Sequence, residues 1–554
     1  MSELKFNEYI EQSIKDYWDL DALADYMGET FQYKDIARII EKLHIIFEYS
    51  NVQRGDKIAI CGRNCAHWGA VFFATLTYGA VAVPILHEFK AEQVHNIVNH
   101  SEAKLLFVGD VVWKELDANE MPNLEGIICI ADYSLLVGRT QKVVFAREHL
   151  NQLFGERYPM NFRKHHISYY KGEDDELAVI NYTSGTTSRS KGVMIPYRAL
   201  WSNLKFAQSA LGPHIKPGDR VVSMLPMAHM YGMAFEFIYE FCAGCKVFFL
   251  TRVPSPQILF KAFAEIKPAI IIAVPLVIEK IIRKAVLPKI QDTTVKMLLK
   301  IPVVRQKIKD KICEQIKAAF GGNYYEVIIG GAAFNREIEA LLHDIGFNYT
   351  VGYGATECAP IITYEDWKNF KQGSCGKAAP RMEVKIDSKD PHNEVGEILV
   401  RGTNVMLGYY KNEEATKETL VNGWYHTGDL GIMDEEGNLF IKGRSKNMLL
   451  GANGQNIYPE EIEDLLNNMT LVNESIVIQK GDKLYGLVYP DFEEAEKLGL
   501  QTNDLAGVME QNRTELNAAL PSYAHLSGIK IYNEEFEKTP KRSIKRFLYA
   551  DAEI

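Results

Sequence analysis

Short apolar runs recur along the first two thirds of the chain, separated by stretches with helical spacing. "DKIAICG" (56–62), "VAVPIL" (81–86) and "AKLLFVGD" (103–110) predict strands, while "CAHWGAVFFATLTYGA" (65–80) predicts a helix that stops at Gly79. The alternation continues through "ELAVINY" (176–182), "RVVSMLP" (220–226), a helical "GMAFEFIYEFCAG" (232–244), "CKVFFL" (245–250), "PAIIIAVP" (268–275) and "YYEVIIGGA" (324–332). Strands alternating with helices imply parallel sheets covered by helices. From about residue 373 the texture changes to short strands with turn signals: "EVKIDS" (383–388), "GEILVRG" (396–402) and "DEEGNLFIKGR" (434–444). Such spacing predicts a small antiparallel β unit. Beyond Arg444, "LLGANGQNIYPEEIEDLL" (449–466) predicts a Gly/Asn-rich connection and a helix with Pro459 in its first turn. The last hundred or so residues suit a small α+β domain.

At 554 residues the chain is too long for a single core. A net charge of −10 with 24% charged residues argues against a general nucleic-acid binder. The N-terminus carries charges throughout and predicts neither a signal peptide nor a membrane span. A cytoplasmic protein with reduced, mostly buried thiols is expected. Its eight cysteines are scattered, and the Cys242/Cys245 pair lacks the partners of a zinc site. Residues 280–317 hold eleven Lys/Arg against three Asp/Glu, interleaved with Ile, Leu and Val. That face suits either solvent or a peripheral contact with the inner face of an anionic membrane.

Candidate chemistry is concentrated in five stretches. "NYTSGTTSRSKG" (181–192) is dominated by Ser, Thr and Gly and follows a strand. A loop of this composition brings backbone N–H groups and hydroxyls to an anion, with a lysine as point charge. "PMAHMYGM" (226–233) places His229 between a strand end and a helix start, and "GGAAF" (330–334) follows a strand. "VGYGATECAP" (351–360) is a Gly-rich turn containing Thr356 and Glu357, and "NGWYHTGDLGIMDEEGNLFIKGRSKN" (422–447) holds Asp429 and Arg444.

In this order the five stretches resemble the superfamily of adenylate-forming enzymes: acyl-CoA synthetases, adenylation domains of peptide synthetases and beetle luciferases. The resemblance runs from "GDKIAICGRN" to "EKTPKRSIKRF", nearly the whole chain. It implies an α/β fold with a large N-terminal adenylation domain (1–445), a hinge at Lys446 and a small mobile C-terminal domain (447–554). The first stretch resembles the family's phosphate loop, [YF]TSGTTGxPKG, with Ser188 in place of a Gly and Ser190 in place of a Pro. By that resemblance Thr183, Ser184, Gly185, Thr186 and Thr187 hold the β- and γ-phosphates of ATP, with Lys191 as charged support. Gly330, Gly331, Ala332, Tyr353 and Gly354 flank the adenine and the acyl pocket. Thr356 meets the α-phosphate, Glu357 binds Mg²⁺, and Asp429 accepts from the ribose with Arg444 nearby. His229 lines the carboxylate end of the pocket, and Gly454 leaves room for the pantetheine arm of coenzyme A.

Among these enzymes the chain is most similar to long-chain fatty acyl-CoA synthetases, through "NGWYHTGDLG", "GRSKN", "LPMAHMYG" and "AVPLVIEKIIRK". The implied reaction joins a fatty acid to AMP with release of pyrophosphate, then passes the acyl group to coenzyme A. Medium-chain or aryl acids, transfer to a carrier protein, and a catalytically weak nucleotide- and acyl-binding protein are the alternatives. One departure stands out. In the family's C-terminal "PKTxxGKI" the second lysine is catalytic, whereas here, aligned on Lys538–Thr539 and Ile544, the corresponding residue in "EKTPKRSIKRF" (537–547) is Ser543, with Lys541 and Lys545 as possible substitutes.

Overall fold

The computed structural model describes residues 3–183, 190–251, 256–287, 301–450, 455–539 and 544–554. The alternation read from the sequence becomes a twisted eight-stranded sheet. From one edge to the other its strands are Gly408–Tyr409, Lys191–Pro196, Leu177–Thr183, Val81–Ile85, Lys57–Cys61, Ala103–Val108, Gly126–Cys129 and Leu135–Gly138. The five from Leu177–Thr183 to Gly126–Cys129 run parallel, and their apolar faces are covered on both sides, as parallel sheets require. The helix Ala66–Tyr78 lies over this sheet, with Trp68, Phe72 and Phe73 fully buried. It ends because Gly79 turns left-handed at φ 88°, a conformation open to glycine without a side-chain clash. Phe73 stacks on Phe237 at 4.4 Å between ring centroids. Burial of each such ring contributes about 1.5–3 kcal/mol.

A four-stranded sheet (Arg220–Ser223, Lys246–Phe249, Asp21–Asp25, Thr30–Gln32) and a parallel three-stranded sheet (Ile271–Ala273, Val327–Ile329, Tyr349–Val351) complete the α/β part. The β-rich region is two antiparallel sheets. One joins Tyr353–Gly354, Ile361–Tyr364 and Lys377–Ala378. The other is five-stranded and built on Gly396–Gly402 and Trp424–Met433. A smaller C-terminal body follows, with a three-stranded sheet (Val472–Lys480, Lys483–Pro490, Leu526–Ile531) and the helices Pro459–Leu466 and Thr502–Ala519. The chain is thus a mixed α/β protein with a large N-terminal and a small C-terminal part.

Two features depart from the sequence reading. The strands on either side of the Ser/Thr/Gly loop pair antiparallel, Thr183 opposite Lys191, so the loop joins a β-hairpin. The helical "GMAFEFIYEFCAG" is interrupted by a π-turn over Ala234–Ile238. Every residue from Met233 to Cys242 is buried, so no polar face exists whose phase would reveal the inserted residue.

Buried apolar side chains form one cluster between Phe6 and Leu439 and two further clusters within Ile457–Phe536. What joins the two parts among the described residues is polar. Arg336 lies 3.6 Å from Glu461 and 3.7 Å from Asp464, and Lys442 lies 3.1 Å from Glu461. The Asn468 carboxamide oxygen accepts from Arg283 at 3.2 Å and from Asn335 at 2.5 Å. All eight cysteines are free, and Cys242 and Cys245 are buried. No described helix is long and apolar enough to cross a membrane. Within the basic stretch 280–317, Lys309 and Arg305 face Asp344 at 2.5 and 3.7 Å.

Candidate active site

The hairpin brings Thr183 and Lys191 side by side at the end where its two strands connect, with the Thr183 hydroxyl 3.5 Å from the Lys191 carbonyl. Ser184, Gly185, Thr186 and Thr187 lie outside the described residues, as do Gly454 and Ser543. The Lys191 ammonium sits 4.7 Å from the centroid of the Tyr409 ring. Tyr409 belongs to the edge strand Gly408–Tyr409, which pairs with Lys191–Pro196 in the register Tyr409↔Val193. Gly408 has φ 141°, and a Cβ there would come within 2.7 Å of the Thr416 methyl group. Glycine is what allows this strand to approach.

On its other end Tyr409 donates its hydroxyl to Glu357 Oε1 at 2.9 Å. Glu357 is held in a short 3-10 turn, Thr356–Cys358, whose carbonyl at Glu357 accepts from Met406 N at 2.8 Å. Thr356 is buried beside it. Burial and the Glu357 carboxylate push the Tyr409 phenol up, so it remains a donor.

Asp429 forms a second centre. Tyr353 donates to its Oδ2 at 2.6 Å, and Arg444 Nε donates to its Oδ1 at 2.9 Å. The pairing follows from sheet register, because Asp429 and Arg444 face each other on adjacent strands. Burial raises the Asp429 carboxyl while the Arg444 guanidinium opposes that rise. Asp429 is 8% exposed, whereas 63% of the Arg444 side chain is exposed, so the arginine meets solvent and a ligand more readily than the aspartate. Glu357 is the weakest of the charges that act on Asp429 and Arg444.

His229 caps the helix Met230–Met233, its Nδ1 accepting from Tyr231 N at 3.3 Å. The segment leading to it is fixed from two sides. Asn64 donates to Leu225 O at 2.6 Å and accepts from Met227 N at 2.8 Å. The fully buried Glu236 accepts from Met224 N and Leu225 N at 3.0 and 2.8 Å. Its carboxyl is pushed well up by burial. Tyr231 links this segment to the predicted adenine region. Its hydroxyl donates to Ile328 O at 3.1 Å, and its ring lies 3.2 Å from where a Cβ on Gly330 would sit. Gly330 is buried, Gly331 and Ala332 are exposed at the start of the following loop, and Gly354 is exposed beside buried Tyr353.

Lys446 lies in the exposed 3-10 turn Ser445–Asn447, with Ser445 Oγ donating to Gly428 O at 3.1 Å. Near the C-terminus Lys538 and Ile544 form an antiparallel bridge. Lys545 pairs with Glu537 on the same strand pair, and Lys538 lies 2.5 Å from Glu474. Of the two lysines offered as substitutes for Ser543, Lys545 is therefore engaged locally, and Lys541 lies outside the described residues.

The sequence reading missed Tyr409, Tyr231, Asn64 and Glu236. A signal existed for Glu236, an acid inside the apolar "MAFEFIY". For Tyr409 there was none beyond the neighbouring glycine, because its partners are remote in sequence.

Among the described residues no three or more His, Cys, Asp or Glu are grouped so as to hold a metal ion. Glu357 offers a single carboxylate with one oxygen already accepting from Tyr409. This donor set fits Mg²⁺ that arrives with phosphate and keeps waters and phosphate oxygens as its other ligands.

Glu326 introduces the strand that delivers Gly330. It is fully buried, accepts from the Tyr364 hydroxyl and from Trp367 N, and burial raises its carboxyl to about 7. Below pH 4.5 the carboxyl is protonated in both folded and unfolded chains. Stability falls as pH rises from there to about 7, because the unfolded chain ionises first, and the full loss of about 3 kcal/mol is present above pH 7. Glu326→Gln is expected to match the parent in denaturation midpoint at pH 4.5 and to exceed it at pH 8. An equal difference at both pH values would refute this origin.

Residues 10–410 match the family described as AMP-binding enzyme, and the chain belongs to that family. It is similar to the long-chain-fatty-acid–CoA ligase FadD15 of Mycobacterium bovis, with 26% identity over 544 residues that cover 90% of this chain and 87% of that protein. The solved anthranilate CoA ligase AuaEII in complex with anthranoyl-AMP shares its fold with a TM-score of 0.79 at 19% identity, covering 99% of this chain and 97% of that one. The o-succinylbenzoate CoA synthetase MenE of Bacillus subtilis, solved with ATP and a magnesium ion, shares it with a TM-score of 0.75 at 20% identity, over 98% and 99% of the two chains.

Proposed function

We propose that this chain is an AMP-forming acyl-CoA ligase acting on a fatty acid, in the first instance a long-chain one. The observation that carries the reading is the contact of Tyr409 with both Lys191 and Glu357, together with the Asp429–Arg444 pair that Tyr353 holds on the five-stranded sheet. A cation, a metal-binding carboxylate and a buried carboxylate held for hydroxyl groups are what ATP requires at its phosphates, its magnesium and its ribose. The name of the Mycobacterium bovis relative supports the acid class.

A carboxylate is a poor acyl donor because its leaving group would be oxide. Attack of the carboxylate oxygen on the α-phosphorus of ATP breaks the bond to the β-phosphate bridging oxygen. An acyl-adenylate forms and pyrophosphate leaves. The thiol of coenzyme A then attacks the acyl carbon, loses its proton and expels AMP. Catalysis rests on positioning and charge rather than on a covalent enzyme intermediate. Lys191 and the hairpin loop hold the β- and γ-phosphates, Thr356 meets the α-phosphate, and Asp429 with Tyr353 orients the ribose. His229, fixed through Asn64 and Glu236, borders the acid. Magnesium, when bound through Glu357, neutralises phosphate charge. Residues 447–554 turn about Lys446 between the half-reactions, bringing the "GANGQN" loop (451–456) with Gly454 to the thiol.

The test is a panel of carboxylic acids of graded chain length, scored for pyrophosphate and for the thioester of free coenzyme A. AMP, pyrophosphate and acyl-CoA are expected in step, with the best yield from long chains. Production of ADP and phosphate would overturn the adenylate chemistry. Pyrophosphate without free thioester would favour loading of a carrier protein.

A further inference from the structure

We infer that Tyr409 is a positioning residue that keeps Lys191 and Glu357 apart and separately aimed at one metal–triphosphate. The inference rests on the nucleotide reading above and deepens it. Lys191 is a cation and Glu357 an anion on neighbouring elements of one site. Left to themselves, such groups pair and neutralise each other. Tyr409 contacts both with different parts of one side chain. Its ring face takes the Lys191 ammonium at 4.7 Å, within the reach of a cation–π contact, and its hydroxyl binds Glu357 Oε1 at 2.9 Å. No ion pair between Lys191 and Glu357 is formed at 4.0 Å or less.

The spacer is itself rigid. Tyr409 is 6% exposed, its backbone N–H donates to Thr416 Oγ1 at 2.9 Å, and its strand is locked to Lys191–Pro196. Lys191 and Tyr409 therefore move as one unit with the hairpin, while Glu357 is tied to the same stretch through Met406 N. A hydrogen bond to Oε1 also orients the carboxylate plane, which directs Oε2 as the ligand oxygen. Glu357 then needs no second protein carboxylate to define its geometry.

Two variants separate the two contacts. Tyr409→Phe keeps the ring under Lys191 and removes the hydroxyl from Glu357. Tyr409→Leu removes both. The readout is calorimetric affinity for ATP with excess magnesium and with chelator, alongside thermal unfolding to show that both variants fold. For Tyr409→Phe, metal-free ATP binding should stay within twofold of the parent. Its gain on adding magnesium should fall threefold to tenfold. For Tyr409→Leu, metal-free binding should weaken as well, because Lys191 is released to Glu357. A magnesium gain unchanged in Tyr409→Phe overturns the inference, and so does an equal loss with and without metal, which is what a purely structural role would give. If the parent binds no ATP, the nucleotide reading fails and the inference falls with it. If the parent binds MgATP and the variant matches it, the inference alone fails.

Discussion

Replacing Ser543 with lysine is expected to raise acid-dependent pyrophosphate release by about 10²–10³-fold, the usual worth of one preorganised charged group at a transition state. The thioester half-reaction from supplied acyl-adenylate should change little. In the resemblance that identifies this segment, a lysine stands where this chain has Ser543. A serine hydroxyl is shorter and uncharged and cannot neutralise the oxygens around the reacting phosphorus. That correspondence rests on Lys538–Thr539 and Ile544, and Lys538 and Ile544 form an antiparallel bridge. Lys545 is committed to Glu537, and Lys538 to Glu474 and Glu535. These engagements favour impairment over substitution by Lys545. The measurement is pyrophosphate release in the parent, in Ser543→Lys and in Lys541→Ala. If the parent already adenylates rapidly and Lys541→Ala abolishes it, Lys541 is the substitute and the expectation is wrong.

Lys446→Pro is expected to lower the thioester step about 10²-fold while acyl-adenylate formation changes much less. A proline fixes φ at residue 446 and pushes Ser445 before it away from the helical region used in the 3-10 turn Ser445–Asn447, so the backbone there loses its freedom to turn. Misplacement by an ångström at a reacting centre is enough for a loss of this size. The two half-reactions are followed separately, by pyrophosphate release and by conversion of supplied acyl-adenylate with coenzyme A. An equal fall in both would remove the reason to regard Lys446 as a hinge.

The strands were legible because each pairs a β-prone apolar run with a strong terminator. Gly79 and Pro459 stand in the structure where their backbone preferences put them. The family resemblance placed Asp429 at the ribose with Arg444 nearby, and the strand register explains why the two meet. The hairpin that carries the Ser/Thr/Gly stretch was not legible, since strand polarity depends on which neighbour accepts the hydrogen bonds and not on local composition. Tyr409 was not legible because it lies 52 residues from Glu357, and farther from Lys191. Glu236 shows the opposite case. An acid in an apolar run contradicts burial, a signal that was present and missed, and its carboxyl satisfies two backbone donors near His229.

The seam between the two parts of the chain is made of ion pairs and carboxamides, and their apolar cores do not merge. Breaking these contacts wets charged and amide groups, whose hydration does not add to the heat-capacity rise that accompanies unfolding. A reorientation along this seam would therefore depend only weakly on temperature through hydrophobic hydration. It would respond to ionic strength instead, because salt screens Arg336 and Lys442 from Glu461 and Asp464 while leaving both interiors untouched.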